Sequence, residues 1–264
     1  MLISAIINAI EAYASPALQE PWDNTGLQVG RAQAECTGVL FCLDVTPAIV
    51  EEAIALGCNL IVSHHPLFFK PVKRLTGANL VENTAILAIE AGVAIYSTHT
   101  ASDSARGGVS YLMAERLGVN PERALEPKDG APETGLGIVG DLAGEGMTQQ
   151  EFAEKVKQAF GCKMIRASKV DLDAAAKIKR VALCGGAGGD MIGLAIAAGA
   201  QAYVTADVRY HDFVDYRDRI LLIDAGHYET EAPIKERLRQ EVEARCPGVK
   251  TYCTKTEDNP INYL

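Results

Sequence analysis

The chain contains an internal repeat that limits the folds open to it. VLFCLDVTPAIVEEAIALGCNLIVS (39–63) aligns without a gap with VALCGGAGGDMIGLAIAAGAQAYVT (181–205), at an offset of 142 residues. Seven positions are identical, and in the first copy they are Val39, Cys42, Ala53, Ile54, Ala55, Gly57 and Val62. A strand–helix–strand pattern common to both segments is the alternative explanation of these identities. The repeat predicts two similar α/β lobes.

Each copy has the pattern of a βαβ unit. In the first, the apolar strands VLFCLDV and NLIVS flank a helix with Thr46 as N-cap, Pro47 at its first position and Gly57 at its end. Two strands joined by a helix pair in parallel. The sequence therefore predicts an α/β fold with mixed or parallel sheets flanked by helices. The polar stretch PERALEPKDGAPETG (121–135) is predicted to be a connector.

A later pair of segments extends the repeat. VAIYSTHTASD (93–103) aligns with LLIDAGHYETE (221–231), which places His99 over His227 and Asp103 over Glu231. We expect a first lobe over residues 1–125, with about 225–264 as a candidate completion of it. The second lobe is expected over residues 126–224.

Composition excludes several classes of protein. The net charge of -9 and the pI near 5.1 argue against binding to a phosphate backbone, so nucleic acid is not an expected partner. No apolar run approaches the roughly 18 residues that a membrane span needs, and the N-terminal segment fits an amphipathic helix better than a signal peptide. The seven cysteines form no CxxC pair, which favours a reducing, cytoplasmic setting.

Metal-competent side chains follow three of the predicted strands. His64 and His65 come after one strand, while His99 and His227 come after two others, and together they are four of the five histidines. The carboxyl ends of strands are where open α/β sheets bind ligands. Each residue alone has an ordinary structural explanation, but their convergence favours a site. Because neighbours on a strand point in opposite directions, His64 and His65 suit two metals, or a metal and a supporting contact.

The donor types suggest the chemistry. Imidazole and carboxylate suit Zn, Fe, Mn, Co or Ni, and the absence of a positioned thiolate disfavours a structural zinc site. Two ions about 3.5–4 Å apart, bridged by a carboxylate, would use four to six such ligands and lower the pKa of a bound water.

Three other features are less specific. CGGAGGD (184–190) lacks the GK[ST] of a P-loop, so close helix-to-strand packing is favoured over anion binding. PWDNTGLQVG (21–30) suits a structural turn and a substrate-facing loop equally well. Basic side chains near the candidate ligands suit phosphate contacts or solvated surface, and they are Lys70, Lys73, Arg74 and Arg106.

The ordered set PWDNTGLQVG, SHHPLFF, STHTASD, TADVRYHD and DAGHYETE resembles the Nif-three-like family, ring-forming dinuclear-metal proteins also labelled type 2 GTP cyclohydrolase I. The resemblance covers nearly the whole chain. It implies two similar α/β lobes, a homohexameric toroid, and two divalent transition metal ions per subunit between the lobes.

The resemblance also implies roles for individual residues. His64 and Asp103 would hold one metal, His65 and His227 the other, and Glu231 would bridge both. His99 is not among the five usual ligands and becomes a candidate proton carrier or substrate contact, with His211 similar.

The implied activity is opening of a purine nucleotide ring at C8, so the first hypothesis is a metal-dependent hydrolase with a nucleotide or small heterocycle as substrate. In it, Glu231 and His99 are the candidate catalytic residues. The second is a protein of metal storage, metal delivery or regulation, in which ring assembly matters more than turnover.

Overall fold

A computed structural model describes residues 1–128, 130–168 and 177–264 of the chain. The strands within these residues are β1 (Gly26–Val29), β2 (Val39–Cys42), β3 (Leu60–Ser63), β4 (Ala94–Ser97), β5 (Val119–Lys128), β6 (Ala131–Leu142), β7 (Arg166–Ala167), β8 (Arg180–Ala187), β9 (Ala202–Ala206), β10 (Leu221–Asp224) and β11 (Thr251–Cys253).

Helices alternate with most of these strands. The α-helices of the described residues are α1 (Ile3–Glu11), α2 (Pro47–Ala55), α3 (Leu80–Ala91), α4 (His99–Ser104), α5 (Val109–Leu117), α6 (Gln149–Phe160), α7 (Ile192–Ala197), α8 (Tyr210–Tyr216), α9 (His227–Glu231) and α10 (Ile234–Arg245). None of the helices in this part of the chain combines the length and the apolar character that a membrane span requires.

The chain divides into two compact units. The first comprises residues 1–102 and 234–258, and the second comprises residues 103–233 and 259–264. The sequence predicted the boundary between the two lobes at residues 125/126, which lies after α5. It also predicted that a C-terminal segment from about residue 225 completes the first lobe. A C-terminal segment does contribute to the first unit, through α10 and β11.

The first unit is built on a five-stranded sheet in the order β1-β4-β3-β2-β11. β2, β3 and β4 pair in parallel, with Val39 opposite Leu60 and Leu60 opposite Ala94. The connecting helix α2 begins where the sequence predicted, because the Thr46 side chain accepts a hydrogen bond from the Ile49 N–H and Pro47 takes the first helical position. Parallel pairing of β2 and β3 confirms the predicted βαβ unit.

The second unit has a six-stranded sheet in the order β5-β6-β8-β9-β10-β7. β8, β9 and β10 are parallel, whereas β6 runs antiparallel to β8. The connector predicted over 121–135 is wrong, since these residues belong largely to the long hairpin of β5 and β6. Their polar side chains lie mostly at exposed positions of the strands, while Ala124 and Leu125 are buried; the composition therefore resembled that of a loop.

Four strands of each sheet follow the same order. In the first sheet, β2 is followed by β3, β4 and antiparallel β1; in the second, β8 is followed by β9, β10 and antiparallel β7. Val181 lies opposite Ala202, as the offset of 142 requires from the Val39–Leu60 pair. Ala202 lies opposite Leu221, however, so β4 and β10 correspond at an offset of 127, one fewer than His99 and His227. The duplication itself stays a prediction.

Candidate metal centre

The histidine pair of the first unit lies just beyond β3. The His64 N–H donates to the Cys42 carbonyl (3.0 Å) and the His65 N–H to the Leu43 carbonyl (2.9 Å), which ties this turn to the end of β2. The two rings have centroids 4.9 Å apart, and one ring nitrogen of each lies within 4.8 Å of the other. The expectation that the rings point apart is therefore wrong, because strand alternation ends with β3 at Ser63.

Both rings are anchored through the same nitrogen. Nδ1 of His64 lies 3.2 Å from the Ser102 hydroxyl, and Nδ1 of His65 lies 3.0 Å from Oδ1 of Asp44. Asp44 is itself held in place, since Oε1 of Glu257 accepts hydrogen bonds from the backbone N–H groups of Leu43 and Asp44. Such partners fix the orientation of an imidazole and leave Nε2 as the nitrogen that a metal would bind.

His99 joins this pair from the start of α4. Its ring centroid lies 5.5 Å from that of His64 and 5.6 Å from that of His65. Its Nδ1 lies 2.7 Å from Oδ1 of Asp23, whose side chain is fully buried. The first unit thus brings together three histidines that the sequence singled out.

Asp23 links the PWDNTGLQVG loop to this cluster. Its carboxylate also accepts hydrogen bonds from the Thr100 N–H (3.0 Å) and the Asn24 N–H (2.7 Å), as well as from the Thr100 hydroxyl. Burial raises the pKa of Asp23, but the hydrogen bonds from His99 and Thr100 outweigh it and hold the pKa well below its ordinary value. The loop therefore supports the cluster rather than forming a simple turn.

The second unit carries His227 and Glu231 one helical turn apart on α9. Nε2 of His227 lies 3.1 Å from Oε2 of Glu231, and the Glu231 side chain is only 4% exposed. Nδ1 of His227 lies 2.7 Å from Oδ2 of Asp207. Burial lowers the pKa of His227, yet Glu231 and Asp207 outweigh it and raise the pKa to about 9. A metal cation would bind here by displacing this proton.

Backbone strain is concentrated in these histidine–carboxylate pairs. Among the described residues other than glycine, φ is positive at His99 (24°) and Asp207 (52°). Such conformations persist where the surrounding structure holds them, and they cluster at functional sites.

The glycine-rich segment after β8 makes room for Glu231. Gly186 has a φ of 61°, and a Cβ there would lie 2.1 Å from Oε1 of Glu231 and 3.3 Å from Nε2 of His227. The Gly186 N–H donates to the Thr230 hydroxyl (3.1 Å), while the Thr205 hydroxyl donates to the Gly186 carbonyl (3.0 Å). CGGAGGD thus serves close packing, and what packs there is a buried carboxylate.

The remaining two candidates are less decisively placed. Asp103 lies on α4, four residues after His99 and therefore on the same face of that helix, and it is half-buried. His211 is exposed on α8, where its ring packs 5.4 Å from that of Tyr210. Their roles, like those of the other site residues, stay predictions.

Sequence reasoning missed the partners of the histidines: Asp23, Asp44, Ser102 and Asp207. A signal existed for Asp44 and Asp207, since each follows a strand of a parallel sheet within two residues. Asp23 gave no such signal, because it lies 76 residues from His99 in sequence.

The residues present fit divalent transition metals. Imidazole nitrogens anchored on carboxylates, together with buried or half-buried carboxylates, are ligands that Zn, Fe, Mn, Co and Ni accept. Burial raises the pKa of Cys184 to about 12 and that of Cys42 well above its ordinary value, so without a metal both are neutral thiols near neutral pH.

Replacing Asp23 with asparagine should destabilise the protein by roughly 2–4 kcal/mol at neutral pH, because a buried, hydrogen-bonded anion is removed. The lowered pKa means that this stabilisation is present above the ordinary pKa of 3.8 and lost as the pH falls toward the folded value. Urea unfolding of the chelator-treated protein at several pH values checks this. Asp218→Asn, at an exposed aspartate, is the control. An Asp23→Asn effect equally large at pH 3 would contradict the expectation.

Fold and site together define a class: an α/β protein whose strand ends carry histidines anchored by carboxylates. The chain belongs to the Duf34/NIF3 (NGG1p interacting factor 3) family, whose model matches residues 1–260.

Relatives along the whole chain agree with this. A protein of Clostridium perfringens named GTP cyclohydrolase 1 type 2 homolog is 33% identical, with 100% of both chains covered. One of the same name from Lactococcus lactis is 36% identical, with 99% of each covered. Among solved structures, a Bacillus cereus protein related to NIF3 superposes with a TM-score of 0.87 at 26% identity, covering 100% of this chain and 99% of that one.

Proposed function

We propose that the protein is a dinuclear-metal-dependent hydrolase that acts on a nucleotide or a small heterocycle. The name GTP cyclohydrolase 1 type 2 homolog, which two relatives carry, supports a nucleotide as the substrate. One observation carries the proposal. In His64, His65, His99 and His227, Nδ1 engages a hydroxyl or carboxylate. This arrangement is typical of histidines that present Nε2 to a metal or to a proton.

The ligand assignment follows the resemblance. We assign His64 and Asp103 to one ion, His65 and His227 to the other, and Glu231 to both. His64, His65 and Glu231 are a candidate group of ligands for a metal ion. When bound, two ions of Zn, Fe, Mn, Co or Ni would supply Lewis acidity and lower the pKa of water at the substrate.

The protein's own residues have separate tasks. Three partners hold the imidazole rings of the candidate metal ligands in one orientation: Ser102 for His64, Asp44 for His65 and Asp207 for His227. His99 is assigned to proton transfer through Nε2, because its Nδ1 is engaged by Oδ1 of Asp23 at 2.7 Å. His99 thereby acts as general acid or base toward a leaving atom, and Glu231 would be a ligand of the bound metal.

The assembly and the compartment belong to the same proposal. The family resemblance supports a homohexameric ring, and the lack of any CxxC pair supports a reducing cytoplasm.

The proposal is tested by metal analysis and a substrate screen. Protein purified without chelator should hold about two divalent ions per chain, as a dinuclear centre requires. His65→Ala should lose at least one of them, whereas Asp218→Asn should keep both. The loaded protein is then screened for hydrolysis of nucleotides and related heterocycles. A single tetrahedral zinc per chain would contradict the dinuclear centre. Full metal content without any turnover would favour metal storage or delivery.

A further inference from the structure

A groove of about 570 Å³ in the first unit opens directly after the histidine pair. Its lining comes from residues between Leu67 and Glu82, the segment that joins SHHP to α3. Small-molecule sites commonly occupy a few hundred to about a thousand Å³. The groove therefore has the size of a site for a nucleotide-sized ligand.

The groove is basic in an acidic protein. Lys70, Lys73 and Arg74 line it and are exposed. Over the described ranges, no side chain forms an ion pair with any of the three. The chain carries a net charge of -9, yet it has no Asp or Glu between Glu52 and Glu82. Three basic side chains against a single carboxylate, Glu82, in one concave surface favour an anionic ligand.

The one carboxylate in the lining is already engaged. Glu82 accepts hydrogen bonds from the Thr76 hydroxyl (2.7 Å), the Thr76 N–H (2.8 Å) and the Asn79 side-chain amide (2.9 Å). These bonds lower the pKa of Glu82 to about 2. Glu82 thus stays ionised and shapes the loop before α3, and the lining holds three basic side chains against this one carboxylate.

Two exposed aromatic side chains, Trp22 and Phe69, lie against His99, and Phe69 also lines the groove. Trp22 and Phe69 are 58% and 52% exposed, although rings of this size are usually buried. Their centroids lie 5.9 Å apart, and they lie 5.8 and 5.9 Å from the ring of His99. A flat ligand could stack on such rings.

Hydrogen bonds fix this surface in place. The Asn24 side chain donates to the Phe68 carbonyl (2.7 Å), and the Phe68 N–H donates to the Gln28 side chain (3.0 Å). The loop that bears Trp22 is thereby joined to the segment that bears Phe69. These two segments are joined before any ligand arrives, which reduces the cost of binding.

We propose that this groove binds a planar heterocycle that carries a phosphate chain, with the phosphates on Lys70, Lys73 and Arg74 and the ring against Phe69 and Trp22. Phe69 lines the groove and also contacts His99, so a ligand on it reaches from the cations to the histidine cluster. The inference rests on the proposed function for its role as a substrate site. It names the residues that would select a nucleotide over a bare heterocycle.

Calorimetric titration tests the phosphate contacts. ATP and GTP, the matching nucleosides and tripolyphosphate are titrated into the full chain, first with chelator and then loaded with metal. In the chelated protein, Lys73→Ala/Arg74→Ala should weaken nucleotide binding at least about tenfold, since two charge-assisted contacts are lost. Arg31→Ala/Lys255→Ala removes the same charge from exposed positions of the same unit and should change binding less than about twofold.

Fluorescence tests the stacking surface, because Trp22 is the only tryptophan of the chain. Nucleotides and nucleosides should change its emission, and tripolyphosphate should not. Equal nucleotide affinity in the native and Lys73→Ala/Arg74→Ala proteins would overturn the inference, as would equal affinity for nucleotide and nucleoside. If nucleotides bind as expected while the chain holds no metal, the proposed metal-dependent function is wrong and the nucleotide-binding groove is supported. If two metals bind and no nucleotide does, only the nucleotide-binding groove is wrong.

Discussion

Glu231→Gln should abolish metal-dependent hydrolysis and lower metal affinity at least about 100-fold, more than the loss of a supporting partner usually costs. The side chain is almost fully buried, and Oε2 lies 3.1 Å from Nε2 of His227. Glutamine keeps the size of the side chain but replaces an anion with a neutral amide, which cannot bridge two cations effectively. Metal content of the purified variant and the rate of hydrolysis at saturating metal are the measurements.

Glu229→Gln is the matched control on the same helix. Its Oε1 accepts a hydrogen bond from the Asn259 side chain, and the glutamine oxygen can still accept it. Metal content and rate should therefore stay near those of the native protein. If Glu231→Gln keeps two ions and its rate, the bridging role is wrong.

The fold was predictable where local sequence determines it. Thr46, Pro47 and Gly57 marked the limits of α2, and apolar runs marked β2, β3 and β4. The hairpin of β5 and β6 was not predictable in this way, because its exposed strand positions carry the polar residues of a connector. Strand character there depends on pairing with β8, which is distant in sequence.

Of the candidate site, only the proposed metal ligands and His99 were predictable from the sequence. Histidines after strands are visible in sequence, and the carboxyl-end rule groups them. Their partners depend on tertiary structure: Asp44 reaches His65 across 21 residues and Asp23 reaches His99 across 76. The approach of the His64 and His65 rings was also hidden, since it depends on where β3 ends. Local patterns thus identify the donors, whereas their orientation comes from packing between distant segments.

Gly186→Ala should disable the same carboxylate without altering any candidate ligand. A Cβ at this position would lie 2.1 Å from Oε1 of Glu231, so the side chain of Glu231 or the backbone of Gly186 must move. The φ of 61° adds a cost of roughly 1–2 kcal/mol for any residue other than glycine. Overpacking raises the expected destabilisation to roughly 2–5 kcal/mol. Metal affinity should fall at least about tenfold, because the ligand is displaced.

Gly193→Ala controls for the loss of a glycine in the same unit. It lies in α7, where a methyl group would meet nothing within 4 Å, and alanine is the better helix former, so stability should stay within about 1 kcal/mol of the native value. Denaturant unfolding with chelator separates the folding cost from the metal effect, and metal titration of the folded variant measures the latter. Because the Gly186 carbonyl also accepts from Thr205 and its N–H donates to Thr230, a shift of its backbone would also move Thr230, the residue next to Glu231. A Gly186→Ala protein that binds two ions with native affinity would show that Glu231 can leave this position freely, and the carboxylate would then have no fixed place in the centre.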